Sequence, residues 1–546
     1  MKFSILKTKR VTFIILLVIT LTGGFLRFYN LNWDEGHFFH PDERNIALAV
    51  TRIHFFNELN PQFFAYGSFP IYLYRGVGEL LKFIDNNTDW IYDWGYINLI
   101  GRYISALVST ISILLIYRVG KLLFNRNTGL IASLLLAFCP FLIQLAHFSI
   151  TESLLIFWLL LIGLLTANIF RKPNKLTNYL ILGLVGGLAL STKVAAISFA
   201  LVPVSVFPFT KIKNTIIRFL LALLIAGFVF GCTSPFIYLD KTKFLESMNY
   251  ENGVVTGRLR VPYTMQFENS VNYLFQIHNL FWQIGPIMII SLIGMFLLVC
   301  YLIKRRLVSP LPLFIFSLTY FAYVGSWYAK FIRYMAPIIP ELILIASFTL
   351  IFIRQKNKVL GNFLIIFFAL VNIFWAVAFF NIYLIPSTRI TASEWIYQNI
   401  PEKSKILQEH WDDGLPIPLK NDSPAKYNIE QLTIYEPDNE QKIDYYCNKL
   451  ATADYIVISS RRLYGTLMYL PKKYPITAKF YQLLFSGKLG YLQIKQISSY
   501  PGVFGIIIND DSSEETFQVY DHPIVLVFKN EFHLSSPQIY QLLKND

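Results

Sequence analysis

The densest group of reactive side chains lies in one short segment near the amino terminus. Residues 34–44 read DEGHFFHPDER and contain seven ionisable side chains, which are Asp34, Glu35, His37, His40, Asp42, Glu43 and Arg44. Pro41 suits the first position of a helix, and apolar residues follow at helical spacing up to Phe56. The sequence therefore predicts a helix over this stretch. Its first turn holds Asp42 and Glu43, where the helix dipole stabilises a negative charge.

Two other interpretations of this segment stay open. Asp42 and Glu43 could serve only as favourable first-turn acids of an interfacial helix. Alternatively, His37, His40 and Asp42 could bind a metal ion, although their spacing matches no standard zinc pattern. A catalytic role requires, in addition, that other reactive groups meet these acids in space.

A second acid precedes a long apolar run. Glu152 lies in HFSITESLLIFW, where Ser149 and Thr151 offer capping hydroxyl groups, so the simplest interpretation is an acid at the start of a helix. An ionisable residue beside a membrane-spanning run usually faces a protein interior or a watered cavity, which makes function the default expectation. We therefore expect Glu152 to lie across one cavity from the acids of the first segment.

Four basic residues are the candidate ligands of a donor phosphate: Lys193, Arg258, Arg260 and Arg333. Arginine presents a planar fork and lysine a point charge, and both suit phosphate oxygens. Snorkelling towards a membrane interface is the alternative explanation for such residues, and it fits the neighbouring Lys330 best. Further residues are expected to line the same cavity, namely Asp34, His40, Arg44, Tyr66, Trp282, Trp327 and Tyr334.

Two carboxylates, several cations and aromatic walls suit group transfer from a lipid that carries a phosphate. Phosphate leaves as a stable anion, so the reaction needs a base for the acceptor hydroxyl and cations for the departing phosphate. It needs no strong acid. These residue types therefore predict a site for group transfer.

The composition indicates which class of protein positions these residues. Of 546 residues, 54% are hydrophobic and only 15% charged, and the mean hydropathy is +0.46, far above that of a water-soluble globular protein. Disorder is excluded because 16% of the residues are aromatic. Eleven apolar runs are candidates to cross ~30 Å of hydrocarbon, near 11–28, 97–118, 128–145, 148–169, 178–194, 196–210, 214–234, 279–303, 311–328, 333–353 and 359–385.

The placement of the basic residues predicts the orientation of the chain. Six short segments carry clusters of Lys and Arg without Asp or Glu, at 2–10, 118–126, 171–175, 211–218, 304–306 and 354–358. Such segments stay in the cytoplasm, so the amino terminus is expected there. The long segments 29–96 and 235–278 are then extracytoplasmic. The net charge of +14 reports this topology, and a nucleic-acid partner is not expected.

The composition changes at about residue 386, where the chain becomes mixed and polar. A membrane domain over 1–385 and an extracytoplasmic α/β domain over 386–546 are therefore expected. Within the second domain the patterns predict a helix at 389–400 and strands at 405–409, 454–460, 503–509 and 523–529.

Several motifs together resemble one known family. HPDERNIA resembles the first-loop Pro-Asp-Glu motif of GT-C glycosyltransferases of the protein O-mannosyltransferase and aminoarabinose transferase type, glycosyltransferase family 39. The similar segments that follow, in the same order as in the family, are AYGSFPIYLY, HFSITESLLIFW, GLVGGLALSTKVAAI, FWQIGP, KFIRYMAPIIP and TASEWIYQNIP. The resemblance covers nearly the whole chain, and the order and spacing are more specific than any single motif.

The resemblance implies a function and roles for three acids. Members of that family take a sugar from a polyprenyl-phosphate carrier and give it to an acceptor at the outer membrane face, usually with inversion. Carried over by motif, the resemblance implies that Asp42 is the base or key carboxylate, Glu43 its partner and Glu152 the second acid. The expected partners are the lipid-linked donor, membrane lipids and an acceptor protein, lipid or glycan. No cofactor is expected, with a divalent metal ion left as an open alternative.

The chain departs from the family pattern at two positions. Aminoarabinose transferases carry a Lys just before the first-loop Pro, where this chain has Gly67, Ser68 and Phe69 before Pro70. Arg44 directly follows the Glu, one position earlier than the basic residue of those enzymes. The cation that holds the donor phosphate must therefore lie elsewhere in this sequence.

The sequence thus predicts an α-helical polytopic membrane glycosyltransferase with a carboxyl-terminal α/β domain. Two functions from other classes stay open. A secondary transporter would place paired charges near the middle of broken spans, and only Arg102 and Glu341 lie clearly inside spans. A protein of envelope polysaccharide assembly would share the topology but lack transferase chemistry of its own.

Overall fold

The computed structural model describes residues 2–206, 212–303 and 309–544. The end of the predicted sixth span and the basic residues Lys211, Lys304, Arg305 and Arg306 lie outside the described residues. The chain packs as two units. The first comprises Met1–Asn32, His40–Thr256 and Val271–Phe380, and the second comprises Trp33–Phe39, Gly257–Ser270 and Asn381–Asp546.

The first unit is built from helices. They are α1 (Lys2–Phe28), α2 (Pro41–Thr51), α3 (Ser68–Asp85), α4 (Asp89–Tyr92), α5 (Trp94–Leu123), α6 (Arg126–Ala137), α7 (Pro140–Ala146), α8 (Glu152–Arg171), α9 (Leu176–Thr192), α10 (Leu201–Val204), α11 (Ile212–Thr233), α12 (Phe236–Leu239), α13 (Lys241–Thr256), α14 (Leu274–Ile284), α15 (Ile287–Ile303), α16 (Leu311–Val324), α17 (Ile339–Lys356) and α18 (Lys358–Phe380). Stretches of 3-10 helix over Val194–Ala200 and Ile332–Ile338 precede α10 and α17.

Six of the described helical segments are long and apolar enough to cross a membrane, and up to eight if each of two bent pairs counts as one span. The bends are 60° between α6 and α7 and 118° between α14 and α15. Pro140 and the Gly285-Pro286 pair stand at these breaks, where a proline interrupts helical hydrogen bonding. Three shorter apolar helices lie at other predicted spans. The polytopic helical architecture is confirmed, and the total of eleven spans stays a prediction.

The second unit contains a mixed sheet with helices packed on it. Its elements are α19 (Thr388–Asn399), β1 (Lys405–Glu409), β2 (Asn428–Leu432), α20 (Glu440–Thr452), β3 (Tyr455–Ile458), α21 (Tyr464–Leu467), α22 (Pro475–Phe485), β4 (Tyr491–Ile497), β5 (Gly502–Val503), β6 (Ile506–Ile507), β7 (Val525–Asn530) and α23 (Ser536–Lys544). The sheet order is β2-β1-β3-β7-β4. β1 runs parallel to β2 and β3, whereas β7 is antiparallel to β3 and β4.

Local predictions for the chain are confirmed in part. The helix at 389–400 and the strands at 405–409, 454–460 and 523–529 correspond to α19, β1, β3 and β7. The single strand at 503–509 is wrong, because positive φ angles at Phe504 and Gly505 reverse the chain into the β5–β6 hairpin. The first-loop helix begins at Pro41 as predicted but ends at Thr51 rather than Phe56. The second unit begins at Asn381 and includes two short loop segments, whereas the sequence placed the boundary at residue 386.

Helices α9 and α11 pack closely because small residues form their interface. A Cβ atom added at Gly183 would stand 2.6 Å from the carbonyl oxygen of Ala222, and one at Gly187 would stand 2.7 Å from that of Ala226. The two glycines are four residues apart and so lie on one side of α9, the arrangement that lets membrane helices approach closely. At Gly186, by contrast, the nearest atom would be the Ala226 Cβ at 3.7 Å.

We expect Gly187→Ala to lower the thermal stability of the purified protein in detergent by about 1–3 kcal/mol, since the added methyl group overpacks the contact with α11. The matched control is Gly186→Ala, which adds the same group one position away. Because alanine favours a helix over glycine by up to ~1 kcal/mol, this control should be neutral or stabilising. Equal destabilisation by both variants would contradict the packing argument.

Candidate active site

The first-loop helix is positioned by its own amino-terminal residues. His40 occupies the N-cap position of α2, and its Nδ1 accepts a hydrogen bond of 3.2 Å from the Asp42 backbone N–H. Burial lowers the pKa of His40 to about 4, and the charges of Arg333 and Arg102 act in the same direction against those of Asp42 and Glu152. His40 is therefore a neutral capping residue near pH 7. This geometry orients the first turn of α2 and hence the Asp42 side chain.

Asp42 forms an ion pair with Arg333. Its Oδ2 lies 2.7 Å from Arg333 Nη1, and the two side chains are 18% and 17% exposed. Burial alone would raise the pKa of Asp42, but the Arg333 guanidinium, helped by His40, a hydrogen bond from the Tyr66 hydroxyl and Lys193, holds it below its ordinary value. Asp42 is thus an ionised carboxylate that a ligand can still reach.

The second acid makes an equivalent pair with a lysine. Glu152 begins α8, and its Oε1 lies 3.1 Å from Lys193 Nζ. The Thr151 hydroxyl donates to Glu152 Oε2 at 3.3 Å, and Lys193 Nζ lies 5.1 Å from the centre of the Tyr66 ring. Asp42 and Arg333 also act electrostatically on Glu152. The two ion pairs and Tyr66 therefore form one cluster, as the sequence analysis expected for Asp42 and Glu152.

A close backbone contact places Tyr66 beside Lys193. The Gly67 backbone N–H donates to the Thr192 carbonyl at 3.1 Å, and a Cβ atom on Gly67 would stand only 2.0 Å from the Ser191 carbonyl oxygen. No side chain fits at position 67, because the loop lies directly on the end of α9. Position 67 therefore cannot carry a basic side chain, whereas Lys193, one residue beyond the contact, reaches the cluster.

Glu43 points to a different set of groups from its neighbour Asp42. It is fully buried, and Arg102 donates to both of its oxygens, from Nε at 2.9 Å and from Nη2 at 2.7 Å. The Ser149 backbone N–H donates to Glu43 Oε1 at 2.6 Å, and Arg102 Nη1 donates to the Leu31 carbonyl at 2.9 Å. This network fastens α2 to α5 and to the start of α8. Its geometry favours a positioning role for Glu43, and the predicted catalytic role stays a prediction.

Sequence reasoning missed a third acid at the cluster. Glu251 lies on α13 and is half-buried, and the charges of Lys193, Asp42 and Arg333 act on it. Burial raises the pKa of Glu251 above its ordinary value, and the two cations offset only part of this shift. In the part of the chain that the structure describes, Glu251 forms no ion pair. The signal in the sequence was weak, because Glu251 is one acid in a polar loop with no motif around it.

Helix α13 is held to both segments that carry the cluster. The Val255 carbonyl accepts backbone hydrogen bonds from Tyr328 at 3.0 Å and from Ala329 at 3.2 Å, just before Arg333. At the other end, Asn60 Nδ2 donates to Asp240 at 3.2 Å, in the segment that leads to Tyr66. The position of Glu251 is therefore fixed by contacts on either side of it.

Three of the remaining predicted site residues lie in the second unit. Asp34, Arg258 and Arg260 belong to the second unit, where Asp34 accepts from the backbone N–H groups of Gly36 and Phe38, and Arg260 pairs with Glu268 at 2.6 Å. Their predicted roles stay predictions.

The other three predicted cavity residues, Tyr334, Trp282 and Arg44, lie in the first unit and differ from one another in their surroundings. The Tyr334 ring lies 5.6 Å from that of Trp327, beside Arg333 in sequence, and the charges of Arg333, Glu251 and Asp42 reach it. Trp282 packs instead against Trp375 of α18, with ring centres 5.9 Å apart. Arg44 is half-buried on α2. The roles predicted for these residues in the cavity stay predictions.

A metal site was the open alternative for the first loop. Within residues 2–206, 212–303 and 309–544, no three His, Cys, Asp or Glu side chains are grouped so that they could hold a metal ion. The charges that neutralise Asp42 and Glu152 in the structure come from Arg333 and Lys193 instead.

Comparisons with known proteins support one family. Residues 98–239 match the sequence family described as dolichyl-phosphate-mannose-protein mannosyltransferase, and no curated protein matches the chain. A structure of the archaeal oligosaccharyltransferase AglB from Archaeoglobus fulgidus has a TM-score of 0.52 at 13% identity, covering 92% of this chain and 75% of that one. ArnT from Cupriavidus metallidurans has a TM-score of 0.49 at 16% identity, covering 84% and 94%. The family match over residues 98–239 agrees with the resemblance predicted from the sequence, and the AglB structure shows a fold that this chain shares.

We expect Arg102→Leu to destabilise the protein by about 3–5 kcal/mol, because it leaves the buried Glu43 carboxylate without its counter-charge. The double variant Glu43→Leu with Arg102→Leu removes both charges and should recover a large part of that loss. Thermal unfolding in detergent measures both. If the double variant were as unstable as the sum of the single changes, the pair would not be coupled in the way the hydrogen bonds indicate.

Proposed function

We propose that the chain, a membrane glycosyltransferase of the GT-C type, moves a sugar from a polyprenyl-phosphate carrier to an acceptor hydroxyl with inversion. The observation that carries the proposal is the cluster of two ion pairs, Asp42 with Arg333 and Glu152 with Lys193, around Tyr66. The archaeal oligosaccharyltransferase structure with the same fold contains a dolichol-phosphate, which supports a lipid-phosphate ligand. The sugar-accepting face is proposed to be extracytoplasmic, with the amino terminus in the cytoplasm.

Arg333 and Lys193 are proposed to hold the donor phosphate. Both are partly exposed, at 17% and 20%, and each is neutralised by one carboxylate when no donor is bound. A phosphate offers the same two cations charged oxygens that suit them as well as carboxylate oxygens do, so it competes with Asp42 and Glu152. Binding then weakens the hold of Arg333 on Asp42. The carboxylate that had been fixed in an ion pair becomes available to an acceptor.

The transfer step follows from this exchange. The acceptor hydroxyl oxygen attacks the anomeric carbon of the sugar on the face opposite the phosphate, forming the new carbon–oxygen bond. The bond between that carbon and the phosphate oxygen breaks, and its electron pair stays on the phosphate, next to Arg333 and Lys193. The hydroxyl proton passes to Asp42. A single displacement of this kind inverts the anomeric centre.

A carboxylate with a lowered pKa suits this role. The hydroxyl proton becomes acidic only as the new bond forms, so the base has to be ionised and correctly placed rather than strong. Asp42 is ionised because Arg333 and its other neighbours stabilise its charge. The His40 cap fixes the turn of helix from which it projects. Positioning and protonation state therefore come from the same few contacts.

We expect Asp42→Asn to abolish most transfer while leaving the carrier bound. The loss should be about 100- to 10,000-fold, the range for removing a general base. The wild-type or variant protein is expressed in a strain that lacks the gene. Transfer is then measured by mass spectrometry, as a mass increase of one sugar on envelope glycans or glycoproteins. Carrier binding is measured with undecaprenyl phosphate and the purified protein. Full transfer by a folded Asp42→Asn protein would remove Asp42 from the mechanism.

The matched control is Arg333→Gln, which should have the complementary effect. Removing a charged hydrogen-bond donor costs about 1.5–3 kcal/mol, so undecaprenyl phosphate binding should fall by about tenfold or more. Lys193→Gln should act in the same direction. Unchanged binding in both variants would place the phosphate elsewhere and leave Arg258 and Arg260 as candidates.

We expect Glu251 to set the acid limb of the transfer rate. Its pKa is raised, so its carboxylate forms only as the pH rises above the ordinary glutamate range, whereas Asp42 with its lowered pKa is already ionised there. If an ionised Glu251 binds hydroxyl groups of the sugar or acceptor, transfer should rise with pH in wild type. The rise should be absent in Glu251→Gln. An identical rise in both proteins would show that another group titrates.

A further inference from the structure

A small apolar hairpin in the second unit has no part in the proposed reaction. Strands β5 and β6 pair antiparallel around a two-residue turn formed by Phe504 and Gly505. Phe504 is 93% exposed, Ile507 70% and Ile506 55%. Single exposed apolar residues are normal on a protein surface, but a contiguous set in one hairpin marks a contact surface.

The backbone of the turn makes the exposed phenylalanine unusual. Phe504 has φ of 54° and Gly505 has φ of 79°, so both stand in the left-handed region that a two-residue hairpin turn of this type requires. Glycine, asparagine and aspartate suit the first position, whereas a bulky side chain is strained there. The sequence therefore keeps a large aromatic residue at a position that favours a small polar one. A contact outside the chain would account for it.

The hairpin lies next to the point at which the chain leaves its last apolar helix. Strand β5 packs against the 3-10 turn Asn381–Leu384. This turn follows α18 directly in the sequence, and α18 is long and apolar enough to cross a membrane. Leu384 and Ile385 are themselves 49% and 46% exposed. Exposed apolar residues from two chain segments thus adjoin each other at the end of a span.

We propose that the β5–β6 hairpin inserts Phe504, Ile506 and Ile507 into the lipid interface at which the last span ends. Aromatic side chains favour this zone, and burying the two isoleucines there removes apolar surface from water. Insertion stays shallow, because the outer backbone groups of a two-stranded hairpin still need hydrogen bonds from water or lipid headgroups. The hairpin thereby holds its domain to the membrane surface without a further span.

The test uses the full-length protein reconstituted into vesicles of phosphatidylcholine and phosphatidylglycerol. Phe504 is replaced by the photoreactive residue p-benzoylphenylalanine, and lipid adducts formed on irradiation are measured by mass spectrometry. The expected result is a lipid adduct on the peptide that contains position 504. Because the replacement is an aromatic residue at an exposed position, the fold is expected to be kept, and thermal unfolding checks this.

Phe532 provides the matched control, being an aromatic residue of the same unit that is 64% exposed. Asp521, before β7, accepts from Tyr383 of the 3-10 turn at 2.7 Å, whereas Phe532 follows the far end of β7. The six residues of β7 lie between Asp521 and Phe532, and at ~3.3 Å per residue they place Phe532 roughly 20 Å from the end of the sheet that contacts the 3-10 turn. Lipid adducts should be several-fold more abundant at 504 than at 532. Equal lipid labelling at both positions, or adducts of position 504 with another polypeptide instead of lipid, would overturn the proposal.

Discussion

The structure around the site depends on the cost of removing charge from water between apolar helices. A charge in such a place is stable only when an opposite charge or hydrogen bonds compensate it. Around the site, three ion pairs among the described residues meet this requirement, namely Asp42 with Arg333, Glu152 with Lys193, and Glu43 with Arg102. The partners of each pair are far apart in sequence. The pairs therefore assemble the site as well as neutralise it, since the loop helix can dock only where its acids find their cations.

The two adjacent acids of the first loop divide this work between them. Successive residues of a helix point about 100° apart, so Asp42 and Glu43 cannot face the same partner. Glu43 is fully buried in a forked pair with Arg102 and holds the helix in place. Asp42 is partly exposed, so its ion pair with Arg333 stays within reach of a ligand. The two adjacent residues thus supply both the contact that holds α2 in place and the proposed base.

Much of the site could be predicted from the sequence, because charges that break a topological pattern stand out. Lys193 and Arg333 lie outside the basic clusters that report orientation, and Glu152 precedes an apolar run. Glu251 could not be predicted, since a lone acid in a polar helix carries no such signal. Strands β3 and β7 were recognisable as apolar runs. In β4, with sequence YLQIKQI, and in the edge strand β2, apolar residues alternate with polar ones. The β5–β6 turn was missed because Phe504 occupies a position where turn residues are expected.

The need to pair buried charges also limits how a phosphate could bind at this site. Bare cations gathered between apolar helices would repel each other, so a preformed empty phosphate site is costly. Here Asp42 and Glu152 act as internal counter-ions of Arg333 and Lys193. In the proposed function, phosphate binding is an exchange of partners at these two cations. The proposed exchange links the binding of the carrier phosphate to the release of the carboxylate that is proposed to activate the acceptor.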